Sequence, residues 1–348
     1  MIKLGLALGY SGKHLELPMP LIKHAEAAGF DSVWVSEAYG SDAVSPAAWI
    51  LAQTQRIKVG TSIMQVPART PAMTAMTAMT LSQLSQGRFI LGLGASGPQV
   101  VEGWHGVAYQ KPLTRMQEYI TIVRKIMARE EAVAFDGEIY QLPWRGEGAT
   151  GLGKPLKSIM AADTTIPIYT ASITPLGLAS AAEYADGVLP VWLSPYRFDA
   201  IGPHLAKGFA RAGGNKSLAN FDIAPNLFVA IGDDVDLLRQ PIKQMMALYI
   251  GGMGAKDKNF YANYTRAMGY GEAAETIQNY YLAGEVEAAI AAVPDALVDE
   301  TSLLGPEAVI RERAERWREA AAANEVGTLM CVLRQPEAVD LLADIFLR

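Results

Sequence analysis

The stretch that decides the reading runs from Arg56 to Gly97, RIKVGTSIMQVPARTPAMTAMTAMTLSQLSQGRFILGLGASG. Ile57, Val59, Ile63 and Met64 suit a buried strand, and Val66-Pro67 ends it. Thr70-Pro71 has the form of a helix start, a capping residue followed by proline in the first turn. Gln86-Gly87 closes that helix, and Arg88-Phe89-Ile90-Leu91 begins another strand. Strand, crossover helix and strand make the βαβ unit of a parallel sheet. Both strands end in small polar residues, Gly60-Thr61-Ser62 and Gly94-Ala95-Ser96-Gly97, where backbone can approach a ligand. A flat cofactor lying across these two strand ends is the expectation.

The same rhythm extends in both directions. Upstream, residues 3–8 and 31–36 read as strands, followed by helical spacing over 18–29 and 45–54. Downstream, a long helix is expected over 112–129, then strands at 166–171, 187–193, 223–231 and 326–333, each followed by a helix. Eight β-then-α units point to a (β/α)8 TIM barrel filling residues 1–348 as one domain. A doubly wound sheet is the competing architecture, set aside because no second domain interrupts the series. Two segments exceed the basic barrel. After the fourth helix, AVAFDGEIYQL (132–142) alternates around Asp136-Gly137, which signals a hairpin. After the seventh strand, a helical region reaches from Val235 to about Val293, with a further helix over 306–323.

Composition narrows the class. The 348 residues are 50% hydrophobic and 19% charged, enough for a large core. A formal net charge of −6 without any basic run argues against nucleic acid as a partner. Cys331 is the sole cysteine, so no internal disulfide forms, and a reducing cytoplasm is expected. The start MIKLGLALGY enters a strand directly, and no apolar run approaches the roughly 20 residues of a membrane span. Met73, Met76 and Met79 recur every three residues and read as a packing face or a subunit interface rather than a cofactor box.

Barrel chemistry sits at the C-terminal ends of the strands. Those ends bring forward His14 with Ser11 and Lys13, then Glu37 and Tyr39, then Ser62, Ile63 and Gln65. Behind the fourth strand come Ser96, Glu102, Trp104 and His105, and behind the fifth Ser172 and Ile173. Gly92-x-Gly94-x-x-Gly97 matches the letters of a dinucleotide fingerprint. That motif should open a helix and precede an acid about 20 residues on, at the end of the next strand. Here Pro98 follows at once and residue 118 falls inside a helix, so the glycines read instead as amides for a phosphate. Glu37 is either a solvated loop acid or an acceptor for a ligand ring. His14 and His105 are the candidates for direct catalytic participation, while His24 and His204 read as surface residues. No HxH, HExxH, GxSxG or P-loop spacing occurs, and Cys331 lies inside a strand. Metal and nucleophilic chemistry are therefore not expected, and a cofactor must carry the reaction.

The segments AEAAGFDSVWVSEAYGSDA (25–43), IKVGTSIMQVPARTP (57–71), LSQGRFILGLGASGPQVVEGWHG (84–106), YQKPLTRMQEYI (109–120), AAEYADGVLP (181–190) and LVDETSLLGP (297–306) carry a resemblance. Together they resemble the bacterial luciferase-like superfamily, specifically its coenzyme F420-dependent oxidoreductases. The resemblance implies a barrel with the deazaflavin at the strand ends, backed by a bulge with a non-prolyl cis peptide at Ser62–Ile63. It implies that Glu37 contacts the ring system. It also implies that the phosphate meets Gly94, Ala95, Ser96 and Gly97 and the turn from Ser172 and Ile173 to Gly177 at a helix start. The segment after strand seven would help form the pocket, and a homodimer is implied.

Two positions depart from the family pattern. Sugar-phosphate-oxidising relatives carry a histidine where this chain has Ala38, and similar relatives carry a lysine where it has Leu176. The expected activity is hydride passage between C5 of F420 and a small organic substrate, with His14, His105 or a substrate group moving the proton. An FMN-dependent monooxygenase of the same superfamily is the second reading, and a cofactor-binding protein without catalysis the third.

Overall fold

The computed structural model describes residues 2–254 and 258–348. Its strands, in chain order, are β1 (Lys3–Ala7), β2 (Ser32–Val35), β3 (Lys58–Thr61), β4 (Met64–Gln65), β5 (Phe89–Gly94), β6 (Phe135–Asp136) and β7 (Gln141–Leu142). They continue as β8 (Ile168–Ala171), β9 (Gly187–Leu189), β10 (Asp222–Ile223), β11 (Asn226–Ile231), β12 (Ser302–Gly305) and β13 (Thr328–Val332). Parallel pairing runs β13-β1-β2-β3-β5-β8-β9-β10, and β11 pairs with β13.

The expected seventh strand is broken at Ala224-Pro225, where proline has no N–H to give the ladder. Hydrogen bonding nevertheless continues across the break. The Ala224 N–H donates to Val188 O at 2.9 Å on one side, and the Met330 N–H donates to Pro225 O at 2.9 Å on the other. β10 and β11 together therefore close the ring between β9 and β13. With β1, β2, β3, β5, β8, β9 and β13 they make the eight positions of a (β/α)8 barrel.

The strands are buried on both faces, as parallel strands wrapped by helices must be. Leu4, Leu6, Val33, Val35, Val59, Leu91 and Leu93 belong to the large core shared with the helix layer. A smaller cluster of Trp34, Ile90, Tyr169, Leu189, Ala224 and Met330 is separate from it and fills the barrel interior. Trp34 is accommodated by glycines on the strands either side. A Cβ on Gly60 would lie 2.5 Å from the indole, and one on Gly5 2.8 Å from its nitrogen. The indole N–H is satisfied by Ser32 Oγ at 3.0 Å. Near the strand starts, Asp222 Oδ2 accepts from Lys3 Nζ at 2.8 Å, Tyr169 OH at 2.8 Å and Thr328 Oγ1 at 2.7 Å. This polar group joins four strands, β1, β8, β10 and β13, at the end of the barrel away from the candidate site.

Helix Pro71–Ser85 starts as expected, with Thr70 Oγ1 accepting the Met73 N–H at 3.2 Å. Its methionines do not share one face. Met79 is fully buried, whereas Met73 and Met76 are more than half exposed. Six residues turn a helix through roughly 600°, about 120° short of two full turns, so a three-residue period drifts off its face. The expected hairpin forms as β6 against β7, with Phe135 opposite Leu142. The Glu118 carboxylate of the preceding helix caps its turn, accepting the N–H groups of Glu138, Ile139 and Tyr140 at 2.6, 2.9 and 2.9 Å.

The helical region expected after β11 is divided into Val235–Ala247, a π-helical turn at Leu248–Gly252, Phe260–Ala267, Gly271–Leu282, Val286–Ala291 and Asp295–Glu300. Residues 255–257 of the expected run lie outside the described residues. Glycines 269 and 284 adopt positive φ at the interruptions, and Pro294 precedes the last helix. β12, not anticipated from the sequence, extends the sheet by pairing with the outer half of β11, from Phe228↔Ser302 to Ile231↔Gly305. Among the described residues, no helix is long and apolar enough to cross a membrane.

Candidate active site

Strand register builds the floor of the site. β3 pairs with β5 through Val59↔Phe89 and Gly60↔Ile90, and the chain rejoins β5 as β4, at Met64↔Leu93 and Gln65↔Gly94. From Gly60 to Met64 is four steps of chain, against three from Ile90 to Leu93, so one extra residue bulges out at Thr61–Ile63. The peptide bond Ser62–Ile63 inside this bulge is cis. The Thr61 hydroxyl replaces the ladder bonds that the bulge interrupts. It donates to Gly92 O at 2.7 Å and accepts the Gly92 N–H at 2.9 Å.

This close approach explains two of the three motif glycines. A Cβ on Gly92 would lie 1.8 Å from the Thr61 carbonyl oxygen, and one on Gly94 would lie 2.5 Å from Ile63 Cγ1. Both sit in β5 rather than in a loop, so they serve strand packing behind the bulge. Ala95, Ser96 and Gly97 form the half-buried connection, with Ser96 at φ 60°. Pro98 then opens a short helix, Pro98–Gly103, where the sequence suggested none. Proline in a first turn lacks only an N–H that would be unpaired there anyway.

Glu37, just past β2, is buried and fully engaged. Arg69 grips it bidentately, Nη1 to Oε1 and Nη2 to Oε2 at 2.7 Å each. Oε1 also accepts the Gln65 N–H at 3.0 Å and Oε2 the Ala43 N–H at 2.8 Å. Four donors match the four acceptor positions of a carboxylate. The acid therefore faces the chain with both oxygens, and of the two sequence readings, solvated loop acid is excluded. The hydrogen bonds to Glu37 hold the Arg69 guanidinium above its usual range. Tyr119 OH fixes the backbone at that point, donating to Arg69 O at 3.2 Å or Thr70 O at 3.3 Å. Arg69 was absent from the sequence candidates. Its place between the third strand and its helix was the available signal.

Gln65 extends the network to His105. Its Nε2 donates to Ala38 O, which turns Oε1 toward His105 Nε2 at 3.3 Å. The acceptor in that contact is the amide oxygen, so His105 carries its proton on Nε2 when neutral and presents Nδ1 as the basic atom. His14 is exposed on the loop after β1 and makes no hydrogen bond or ion pair among the described residues. The network thus joins the ends of β2 and β4 to His105 and leaves His14 outside.

On the neighbouring strand, Ser172 and Ile173 follow β8, and Thr174 caps helix Pro175–Tyr184 by accepting the Gly177 N–H at 3.1 Å. A Cβ on Gly177 would stand 2.0 Å from Ser172 Oγ and 2.7 Å from Thr174 Oγ1, so glycine lets both hydroxyls pack directly on this helix start. Leu176 is exposed beside it. Among the described residues, no group of three or more His, Cys, Asp and Glu side chains is placed to hold a metal ion.

A family model described as luciferase-like monooxygenase matches residues 4–324. The chain belongs to the luciferase-like monooxygenase family. Within it, the chain is 45% identical over 335 residues to a protein of Mycobacterium tuberculosis whose name provisionally makes it a coenzyme F420-dependent oxidoreductase; the match covers 94% of this chain and 95% of that one. It is 29% identical over 326 residues to the 5,10-methylenetetrahydromethanopterin reductase of Archaeoglobus fulgidus, covering 93% and 92% of the two chains. Among solved structures, the F420-dependent tetrahydromethanopterin reductase of Methanopyrus kandleri superposes with a TM-score of 0.75 over 99% of this chain and 98% of that one, at 22% identity. That last likeness speaks for the luciferase-like fold.

Proposed function

We propose that this family member is a coenzyme F420-dependent oxidoreductase acting on a small organic molecule held over the strand ends. The observation that carries the reading is the 45% identity, across nearly all of both chains, to a relative named for F420 dependence.

The residues at the strand ends fit such a group. The bulge at Thr61–Ile63 offers a firm surface to a flat ring, because Gly92 and Gly94 let β5 close behind it. Ser62 and Ile63 would back the ring. Ala95, Ser96 and Gly97 on one side, and Ser172, Ile173 and Gly177 on the other, would hold the phosphate-bearing arm. The Ser172 hydroxyl packed on Gly177 stands beside a helix start, where anions are favoured. Once bound, the deazaflavin supplies two-electron hydride chemistry at its C5.

The chain's own residues do the rest. Glu37 acts on the ring's surroundings through Gln65, whose N–H it holds, rather than by a free oxygen. His105, oriented by Gln65, would move the substrate's proton at Nδ1; His14, reaching in from its exposed loop, is the second candidate. Two chains would meet through helices Val44–Gln53 and Pro71–Ser85, where Trp49, Met73, Met76 and Leu84 are exposed, and the dimer would work in the cytoplasm.

The test is to purify the protein from a host that makes F420 and to identify the bound cofactor by absorption spectrum and mass. F420 recovered with the protein is expected. Tight FMN with no F420 binding would overturn the reading in favour of an FMN-dependent monooxygenase, and F420 binding without turnover on any substrate would favour a non-catalytic carrier.

A further inference from the structure

Aromatic rings from six separate segments meet near the network of Glu37, Gln65 and His105. Trp192, which follows β9, packs against Tyr249 at 5.8 Å and Tyr261 at 5.7 Å between ring centroids, and those two tyrosines meet edge to face at 4.8 Å. Tyr39 lies 6.5 Å from Trp104. Tyr10, from the loop after β1, and Tyr39 both lie within electrostatic reach of the Tyr249 hydroxyl. The outer members of the group are open to solvent: Tyr10, Tyr39 and Trp104 are each about two-thirds exposed.

The chain is shaped to present these rings. Trp192 is buried yet holds a left-handed backbone at φ 48°, a conformation that a bulky residue keeps only when its surroundings impose it. Tyr249 sits on the π-helical turn, a feature that recurs at functional sites. Gly251 and Gly252 let that turn lie directly on Tyr281, where a Cβ on either would come within 2.5 Å of the ring or its Cβ. Asn259 ties the turn down from below, donating to Tyr249 O at 3.0 Å and Ile250 O at 2.8 Å. Burial pushes the Tyr249 hydroxyl well up and that of Tyr261 up to about 12, so both phenols stay neutral donors in ordinary conditions.

Two of the rings are attached to the catalytic network by their chain neighbours. Tyr39 follows Ala38, whose carbonyl accepts from Gln65, and Trp104 precedes His105, which meets the same glutamine. We propose that this aromatic wall is the substrate subsite and that it takes a neutral, planar, conjugated carbonyl compound, stacked on the exposed rings with its oxygen toward the tyrosine hydroxyls. Aromatic faces reward flat π-systems over saturated ones of equal size, and uncharged hydroxyls reward a carbonyl without requiring charge. The inference rests on the oxidoreductase reading for its place in catalysis, but the binding preference can be measured without it.

The experiment is calorimetric titration of the full-length protein with acetophenone, with cyclohexyl methyl ketone as the saturated counterpart of equal carbon count, and separately with F420. The flat ketone is expected to bind at least tenfold more tightly than the saturated one. Tyr39→Leu, which keeps apolar bulk but removes the ring at an exposed position, should weaken the flat ketone about fivefold while leaving F420 affinity unchanged; Trp104→Leu repeats the test at a second exposed ring. Equal affinity for the two ketones, or no response to either substitution, would overturn the proposal. F420 binding without the ketone preference refutes this inference alone, whereas the ketone preference without F420 binding refutes the proposed oxidoreductase function and leaves the wall's selectivity standing.

Discussion

Replacing Arg69 by methionine tests the centre of the candidate site. Methionine keeps the aliphatic stem and removes the guanidinium, leaving a Glu37 side chain that is 6% exposed without its cationic partner. Breaking a buried ion pair from one side typically costs about 3–5 kcal/mol. The Ala43 and Gln65 amides still solvate the carboxylate, so Arg69→Met should cost about 3 kcal/mol, the lower end of that range. Glu37→Gln should also destabilise, because it strands a guanidinium that is 18% exposed. In the double variant neither charge is stranded. Urea unfolding of the four proteins should therefore give a double variant more stable than the sum of the singles predicts, by at least about 1.5 kcal/mol. Additivity within about 0.5 kcal/mol would show that Arg69 and Glu37 do not act as a pair, and the burial of Glu37 would then need another cause.

Thr61→Val keeps the shape of the bulge but leaves the buried N–H and C=O of Gly92 unpaired, at about 1–3 kcal/mol for each group, so a loss of about 2–6 kcal/mol is expected in the same assay. A loss below about 0.5 kcal/mol would mean that the hydroxyl is dispensable to the bulge. Gly177→Ala drives the Ser172 hydroxyl off the helix start; F420 should bind roughly tenfold more weakly in a titration, about 1.4 kcal/mol, with unchanged affinity ruling out this phosphate position. Asp299 works against a burial penalty, yet Arg239 and Arg313 hold its carboxyl below its ordinary range. Its contribution to stability is therefore full above the unfolded carboxyl value and is lost as pH falls through the lower folded value. The destabilisation by Asp299→Asn, read from melting temperatures, should shrink as pH drops below about 4, and a penalty constant down to about pH 3 would contradict this.

The barrel was legible because each strand and helix carries its own local signal. Thr70-Pro71 caps a helix whatever lies around it, and runs such as Phe89–Gly94 are apolar throughout because both faces are covered. β12 was not legible, since four residues between a helix end and Pro306 have too little length to show a period. The break in the seventh strand depends on pairing partners far along the chain, Val188 on one side and Met330 on the other, and a single proline does not announce them.

The site was legible at the level of strand ends and not at the level of contacts. Glu37, Gln65 and His105 do meet beyond the strand ends, yet the partner that defines Glu37 is Arg69, 32 residues further on. That pairing follows from the bulge, which advances the chain by one residue and brings Gln65 and the following turn over the end of β2. The three motif glycines make the same point. Gly92 is glycine because the Thr61 carbonyl leaves no room for a Cβ, and Gly94 because Ile63 rests against it. Neither reason concerns a phosphate, although Gly97 still lies in the connection proposed to meet one. A fingerprint read from letters alone would have assigned all three the same role. The geometry divides them between a floor and a rim, and the variants at Thr61 and Arg69 probe the floor separately from any ligand that rests on it.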